Sequence, residues 1–151
     1  MILTNKRERT RFFRFAIVGI IGAMIDFGIL NLLHKAFGIP VLVAQAVSFS
    51  TAVISNFTWN RLWTYPESRA RPISKQLAQF AVVSVIGLGI RTLIFDVLDT
   101  ALTSLSQNIF PSGFFIPPDV IGYNASLAIV IIIILFWNFF VNRFWTYNGI
   151  N

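Results

Sequence analysis

The chain has 151 residues, 56% of them hydrophobic and 12% charged, with a mean hydropathy of +0.71, which is too apolar for an ordinary soluble domain of this length and makes an integral membrane protein the expectation. It has no cysteine and a single histidine, His34, so disulfides, thiolate metal sites and thiol nucleophiles are excluded, and neither a zinc site nor a histidine acid/base relay is expected. The net charge of +6 sits at the ends of apolar runs, with no soluble basic domain to carry it, and so speaks for anionic lipid and topology, with no nucleic-acid partner.

Residues 1–11 are polar and basic, and the apolar run behind them has no small-residue cleavage pattern, which predicts a retained helix and not a cleaved signal peptide. Apolar stretches at Phe12–Leu33, Val41–Asn60, Leu77–Leu98 and Tyr123–Asn142 are each long enough to cross a hydrocarbon core of about 30 Å at about 1.5 Å per residue. In lipid each backbone group must be satisfied inside its own segment, so these are helices. The expected fold is an all-α integral membrane protein with four transmembrane helices, forming one domain over residues 1–151. The last two helices are joined by a longer connection, Thr103–Gly122, whose Pro111, Pro117, Pro118, Phe110, Phe114 and Phe115 read as a loop at the outer interface.

Positive charge sets the orientation. Lys6, Arg7, Arg9, Arg11 and Arg14 lie at the start of helix 1, Arg61, Arg69, Arg71 and Lys75 between helices 2 and 3, and Arg143 after helix 4. The other two connections hold only Lys35, while Asp96, Asp99 and Asp119 gather around the longer one. The positive-inside rule therefore predicts cytoplasmic N- and C-termini and a cytoplasmic middle loop.

Ser55–Tyr65, SNFTWNRLWTY, nearly recurs at Trp137–Tyr147, WNFFVNRFWTY: Asn56, Asn60, Arg61, Trp63, Thr64 and Tyr65 return as Asn138, Asn142, Arg143, Trp145, Thr146 and Tyr147 at one constant offset. This is an internal duplication. Aligning Arg14-Phe15-Ala16 with Gln79-Phe80-Ala81 extends it to the odd-numbered helices and pairs Gly22 with Gly87. Two parallel two-helix repeats follow, about 12–65 and 77–147, related by an axis along the membrane normal.

Residues four apart share a helical face, so Asn56 and Asn60, and likewise Asn138 and Asn142, present two amides in a column. Carboxamides suit sugar hydroxyls, and the guanidinium groups of Arg61 and Arg143 at the helix ends suit phosphate oxygens. The plainer alternative is that the asparagines are packing glue and the arginines fix topology. Asp26 and Arg91 occupy matching places near mid-bilayer, where either charge alone costs roughly 2.5–3.5 kcal/mol, so a bridge between them or a role for Arg91 on an anionic headgroup is expected. Trp63, Tyr65, Trp145 and Tyr147 read as an aromatic belt at headgroup level, Gly19, Gly22, Gly28, Gly87 and Gly89 as close-packing positions, and His34 as an interfacial residue. No Gly-rich phosphate loop, Ser/His/Asp set, metal-spaced cluster or paired carboxylates is visible, so neither a cofactor nor an enzyme acting alone is expected.

RFAIVGIIGAMIDFGILNLL, then SNFTWNRLWTY, then the closing NFFVNRFWTY together resemble the GtrA family of small four-helix membrane proteins, over practically the whole chain from Phe12 to Tyr147. The resemblance implies a role in cell-surface polysaccharide or glycolipid synthesis: translocation of a polyprenyl-phosphate-linked sugar across the cytoplasmic (inner) membrane, beside a glycosyltransferase that makes that lipid. The second repeat departs from the first at Ser84, where Gly19 stands, and at Arg91, where Asp26 stands. Two other readings are a membrane anchor that recruits a soluble glycosyltransferase through Arg7, Arg9, Arg69 and Arg71, and a small drug exporter using Asp26. Four helices enclose little space for a headgroup, which makes a homo-oligomer plausible.

Overall fold

In the computed structural model the described residues are 5–111 and 114–150. Ser112 and Gly113, within the connection expected as a loop, lie outside them, as do Met1–Thr4 of the basic N-terminal stretch and Asn151. Four α-helices make up the chain: α1 (Lys6–Asn31), α2 (Val41–Trp59), α3 (Ile73–Ile109) and α4 (Pro118–Val141). A wide π-type turn continues α1 at Leu32–Ala36, α2 at Asn60–Thr64 and α4 at Asn142–Thr146, and Pro66–Ala70 forms a short 3₁₀ segment. There is no strand among the described residues. All four helices are long and apolar enough to cross a membrane, and the chain is a multi-pass membrane protein.

The helices wear their apolar side chains outward, as lipid-facing helices do. Met24 and Phe27 on α1 are 70% and 71% exposed, and Leu93 on α3 is 72% exposed. Many of the most deeply buried side chains are polar instead: Asn60, Asn142, Thr64 and Thr146 are each no more than 2% exposed.

Two compact units divide the chain, one running to Val82 and resuming at Val141, the other Val83–Phe140. In the first, α1 turns into α2 through Gly38, at φ 66°, a left-handed value that favours glycine, and His34 Nδ1–H donates to the Ile39 carbonyl at 2.9 Å. Asn5 caps α1, its side chain accepting from the Arg7 backbone N–H at 3.0 Å. Phe15, Val18, Ala44, Ala52, Phe57 and Phe80 are buried, Phe57 and Phe80 edge to face with centroids 5.8 Å apart.

In the second unit α3 and α4 meet at Gly122, where an added Cβ would stand 2.6 Å from the Thr103 backbone nitrogen. Phe95 and Tyr123 pack edge to face at 5.4 Å, and the Trp137 indole N–H donates to the Val83 carbonyl at 3.3 Å.

Much of the expected loop Thr103–Gly122 is helical. α3 runs on to Ile109 and has 37 residues, about 55 Å at 1.5 Å per residue, well beyond a hydrocarbon core. Along its polar tail the hydroxyls find acceptors within the helix itself: Thr100 donates to the Asp96 carbonyl at 2.9 Å, Thr103 to Asp99 Oδ1 at 3.3 Å and Ser106 to the Thr103 carbonyl at 2.9 Å. Pro118, expected in the loop, opens α4, where its fixed φ suits a first turn and its missing N–H is no loss.

Candidate functional site

Both copies of the repeated motif fold the same way. The Asn60 carbonyl accepts from the Tyr65 N–H at 2.7 Å and the Asn142 carbonyl from the Tyr147 N–H at 2.8 Å, a five-residue reach that widens the helix by one residue. Inside each wide turn the asparagine side chain accepts from a threonine hydroxyl, Thr64 to Asn60 and Thr146 to Asn142, both at 2.8 Å. The widening swings the final tyrosines inward. Tyr65 and Tyr147 are fully buried and stack on each other, centroids 4.2 Å apart and planes 14° from parallel. Burial pushes both phenols far above their ordinary value. These tyrosines are therefore core, not an aromatic belt; only Trp63 and Trp145, 37% and 46% exposed, keep the belt position.

The two arginines that follow the asparagines have different surroundings. Arg143 makes a two-pronged ion pair with Glu8, Nε at 2.8 Å and Nη2 at 3.0 Å, and donates Nη1 to the Tyr147 carbonyl at 3.2 Å. Glu8 also pairs with Arg11 at 2.6 Å, and Arg11 sits 5.3 Å from the Tyr65 ring centroid and donates to the Ile150 carbonyl at 3.3 Å. Arg61 has no carboxylate partner among the described residues. It donates Nη2 to the Arg69 and Arg71 carbonyls at 3.1 and 2.9 Å and Nη1 to the Gln76 side-chain oxygen, leaving its positive charge uncompensated.

Two open cavities flank this cluster in the first unit. One, of about 470 Å³, lies at the start of α1 and is lined by Lys6, Arg7, Thr10, Arg11, Thr64 and Glu67, among others. The Glu67 carboxylate pairs with Arg7 at 2.5 Å and with Arg11 at 3.5 Å. Partial burial would raise the Glu67 pKa, but its own backbone N–H and these two guanidinium groups outweigh that and hold it below the ordinary value. The other cavity, about 570 Å³, lies at the start of α3 and is lined chiefly by Arg71, Lys75, Gln76, Gln79, Trp145 and Gly149, with no acidic residue.

The remaining sequence candidates sit along the helices. Asn56 lies directly against Gly22, whose added Cβ would meet the Asn56 Cγ at 2.6 Å. Asn138 lies against Gly87 in the same manner, with Asn138 Oδ1 3.4 Å and Trp137 Cδ1 3.2 Å from the Cβ position. Gly19, Gly28 and Gly89, expected to pack closely, have nothing within 4 Å; Gly122 does that work and escaped the sequence reading. Asp26 on α1 is partly exposed and Arg91 on α3 exposed, and neither has an ion-pair partner within its own unit among the described residues. Sequence reasoning also missed Glu8, Gln76 and Glu67, which are the partners of the motif's arginines and their neighbours. The signal available was their place among the basic residues used to set topology, Glu8 and Gln76 at the starts of α1 and α3 and Glu67 in the Pro66–Ala70 connection.

Residues 14–147 match the model of the GtrA/DPMS transmembrane domain. The chain belongs to that family. Among the similar proteins, an uncharacterized membrane protein, YngA, of Bacillus subtilis is 29% identical over 103 residues, 68% of each chain. A dolichol-phosphate mannosyltransferase of Pyrococcus furiosus is 29% identical over 91 residues, 60% of this chain but only 26% of the transferase. The GtrA/DPMS match takes in both motif copies and most of the lining of the cavity at the start of α3, but not Lys6, Arg7, Thr10 and Arg11 of the other cavity, nor Glu8 or Gly149.

Proposed function

We propose that this protein translocates a polyprenyl-phosphate-linked sugar across the inner (cytoplasmic) membrane for cell-surface polysaccharide or glycolipid synthesis. The observation that carries the reading is a basic cavity with no acidic lining, beside an arginine without a carboxylate partner among the described residues, in a chain whose helices otherwise turn apolar side chains outward. An anionic headgroup is what such a place attracts. Membership of the GtrA/DPMS family, and similarity to a protein named for dolichol-phosphate mannose transfer, point to a sugar phosphate as that headgroup.

In this reading the two motif copies close two parallel repeats with both termini in the cytoplasm, where the substrate is loaded. Arg61 supplies field at the mouth, whereas Arg143 is neutralised by Glu8 and acts with Asn60 and Asn142 in holding the ends together. Asn56 and Asn138 offer amides to sugar hydroxyls deeper in the helices, and Asp26 and Arg91 serve the passing headgroup or each other. A homo-oligomer supplies the room that four helices lack.

A second reading is favoured by the mannosyltransferase match, which covers a quarter of that protein: a non-transporting anchor or scaffold for a separate polyprenyl-phosphate glycosyltransferase. Purified chain in liposomes carrying a polyprenyl-phosphate-linked hexose on one leaflet separates the two. Movement of the sugar to the other leaflet, slowed at least tenfold by Arg61→Gln in folded protein, is the expected result. No movement without an added transferase refutes the carrier and leaves the scaffold.

A further inference from the structure

The two cavities are built from matching positions. In the motif alignment Thr64 and Glu67 of the first correspond to Thr146 and Gly149 of the second, and in the helix-start alignment Lys6, Thr10 and Arg11 correspond to Arg71, Lys75 and Gln76. In the first cavity a carboxylate of the chain itself, Glu67, lies between two guanidinium groups. At the matching place in the second stands Gly149, at φ 69° and with no side chain. Arg71 passes across that bare position, its Nη2 3.1 Å from where a Cβ would be. One copy thus carries its own anion and the other leaves basic side chains around an open space.

A second observation concerns a residue that lines that space. Gln76 is 2% exposed, and its oxygen accepts from Arg61. A guanidinium only donates, so this bond fixes the amide with its oxygen toward Arg61 and its Nε2 donors away from it. Nε2 is buried and has no hydrogen-bond acceptor among the described residues, while Gln76 lines the cavity. A buried donor in this state calls for an acceptor, and an oxyanion brought into the cavity supplies one. The first turn of α3, whose N–H groups lack intrahelical partners, adds favourable field.

We propose that this cavity seats the phosphodiester of a sugar-bearing lipid, with the phosphate between Arg71 and Lys75, one oxygen accepting from Gln76 Nε2, and the sugar lying on Trp145. This deepens the carrier reading and rests on it for the identity of the lipid. Gly149 is what keeps the seat open, and Arg61 holds the Gln76 amide in its receiving orientation.

The test uses the full chain in phosphatidylcholine nanodiscs, titrated with a polyprenyl-phosphate-linked hexose and read by tryptophan fluorescence, with polyprenol and inorganic phosphate as comparison probes. Saturable binding of the sugar lipid is expected, weakened at least tenfold by Arg71→Gln combined with Lys75→Gln. Gly149→Asp, which writes a carboxylate into the open copy with a residue that tolerates positive φ, is expected to weaken it as much while the thermal unfolding midpoint is retained. Arg7→Gln in the first cavity leaves binding unchanged. Binding that is absent in the wild type, or unaffected by both sets of substitutions, overturns the site. Equal displacement by millimolar inorganic phosphate overturns the lipid assignment. If binding shows the expected sensitivities but the sugar does not cross liposomes, the site stands and the carrier reading falls; if the sugar crosses equally well in the substituted proteins, the carrier stands and the site falls.

Discussion

The two ends of the duplicated motif share a backbone and differ in what surrounds it. Each has a wide turn closed by an asparagine carbonyl, a threonine bonded to that asparagine and a buried tyrosine. Beyond the tyrosine they part: the first copy continues into Pro66–Ala70 and places Glu67 against Arg7 and Arg11, while the second continues to Gly149 and leaves Arg71 and Lys75 without a carboxylate among the described residues. Their arginines part as well, Arg143 joining Glu8 and Arg61 joining carbonyl and amide oxygens. The scaffold that fixes the ends is the same in both copies, and the second leaves its basic side chains without a carboxylate among the described residues, which is where we propose that an anion sits.

The largest expected effect on this comparison comes from Glu8, which among the described residues Arg143 and Arg11 share. Glu8→Ala leaves the part-buried Arg143 without a carboxylate and the buried Arg11 with Glu67 alone, and is expected to cost about 3 kcal/mol, the low end for breaking a buried pair, measured by denaturation in detergent; Gln76→Ala, at the other arginine, removes no charge and costs much less. A smaller contrast lies in the glycines. Gly22→Ala drives a methyl into Asn56 and is expected to cost about 1–3 kcal/mol, whereas at Gly87 the neighbours stand at 3.2 Å or more and the cost falls below that range. Smallest is the effect of acid on the closed copy. Glu67 has a depressed pKa, so its contribution is present above the ordinary carboxylate value and lost as pH falls through the folded one. Its pairing with Arg7 is solvent-exposed, so the loss amounts to about 0–1 kcal/mol, and Glu67→Gln removes that part of the acid dependence.

Helix number and the starts of α2 and α3 within a few residues were legible in the sequence, because apolar length reports directly on lipid-spanning helices, whereas of the five glycines expected to pack closely Gly22 and Gly87 do and Gly19, Gly28 and Gly89 do not. The polar extension of α3 was not, since hydropathy measures affinity for lipid and is silent about helix that continues past an apolar run; Thr100, Thr103 and Ser106 bonding along their own helix left no apolar trace. The repeated asparagines and arginines were visible as a pattern, but their roles depended on partners far away in sequence. Nothing local in RERTR announces that Glu8 will meet Arg143, and nothing in WTY announces that two tyrosines will stack, because both follow from where the wide turns aim the chain.

The most direct test is a structure of the full chain in nanodiscs with a polyprenyl-phosphate-linked sugar bound. The account predicts phosphate density in the cavity at the start of α3, within hydrogen-bonding distance of Arg71, Lys75 and Gln76 Nε2, with Glu67 still paired to Arg7. Phosphate found instead against Arg143, or in the first cavity with Glu67 displaced, would contradict it.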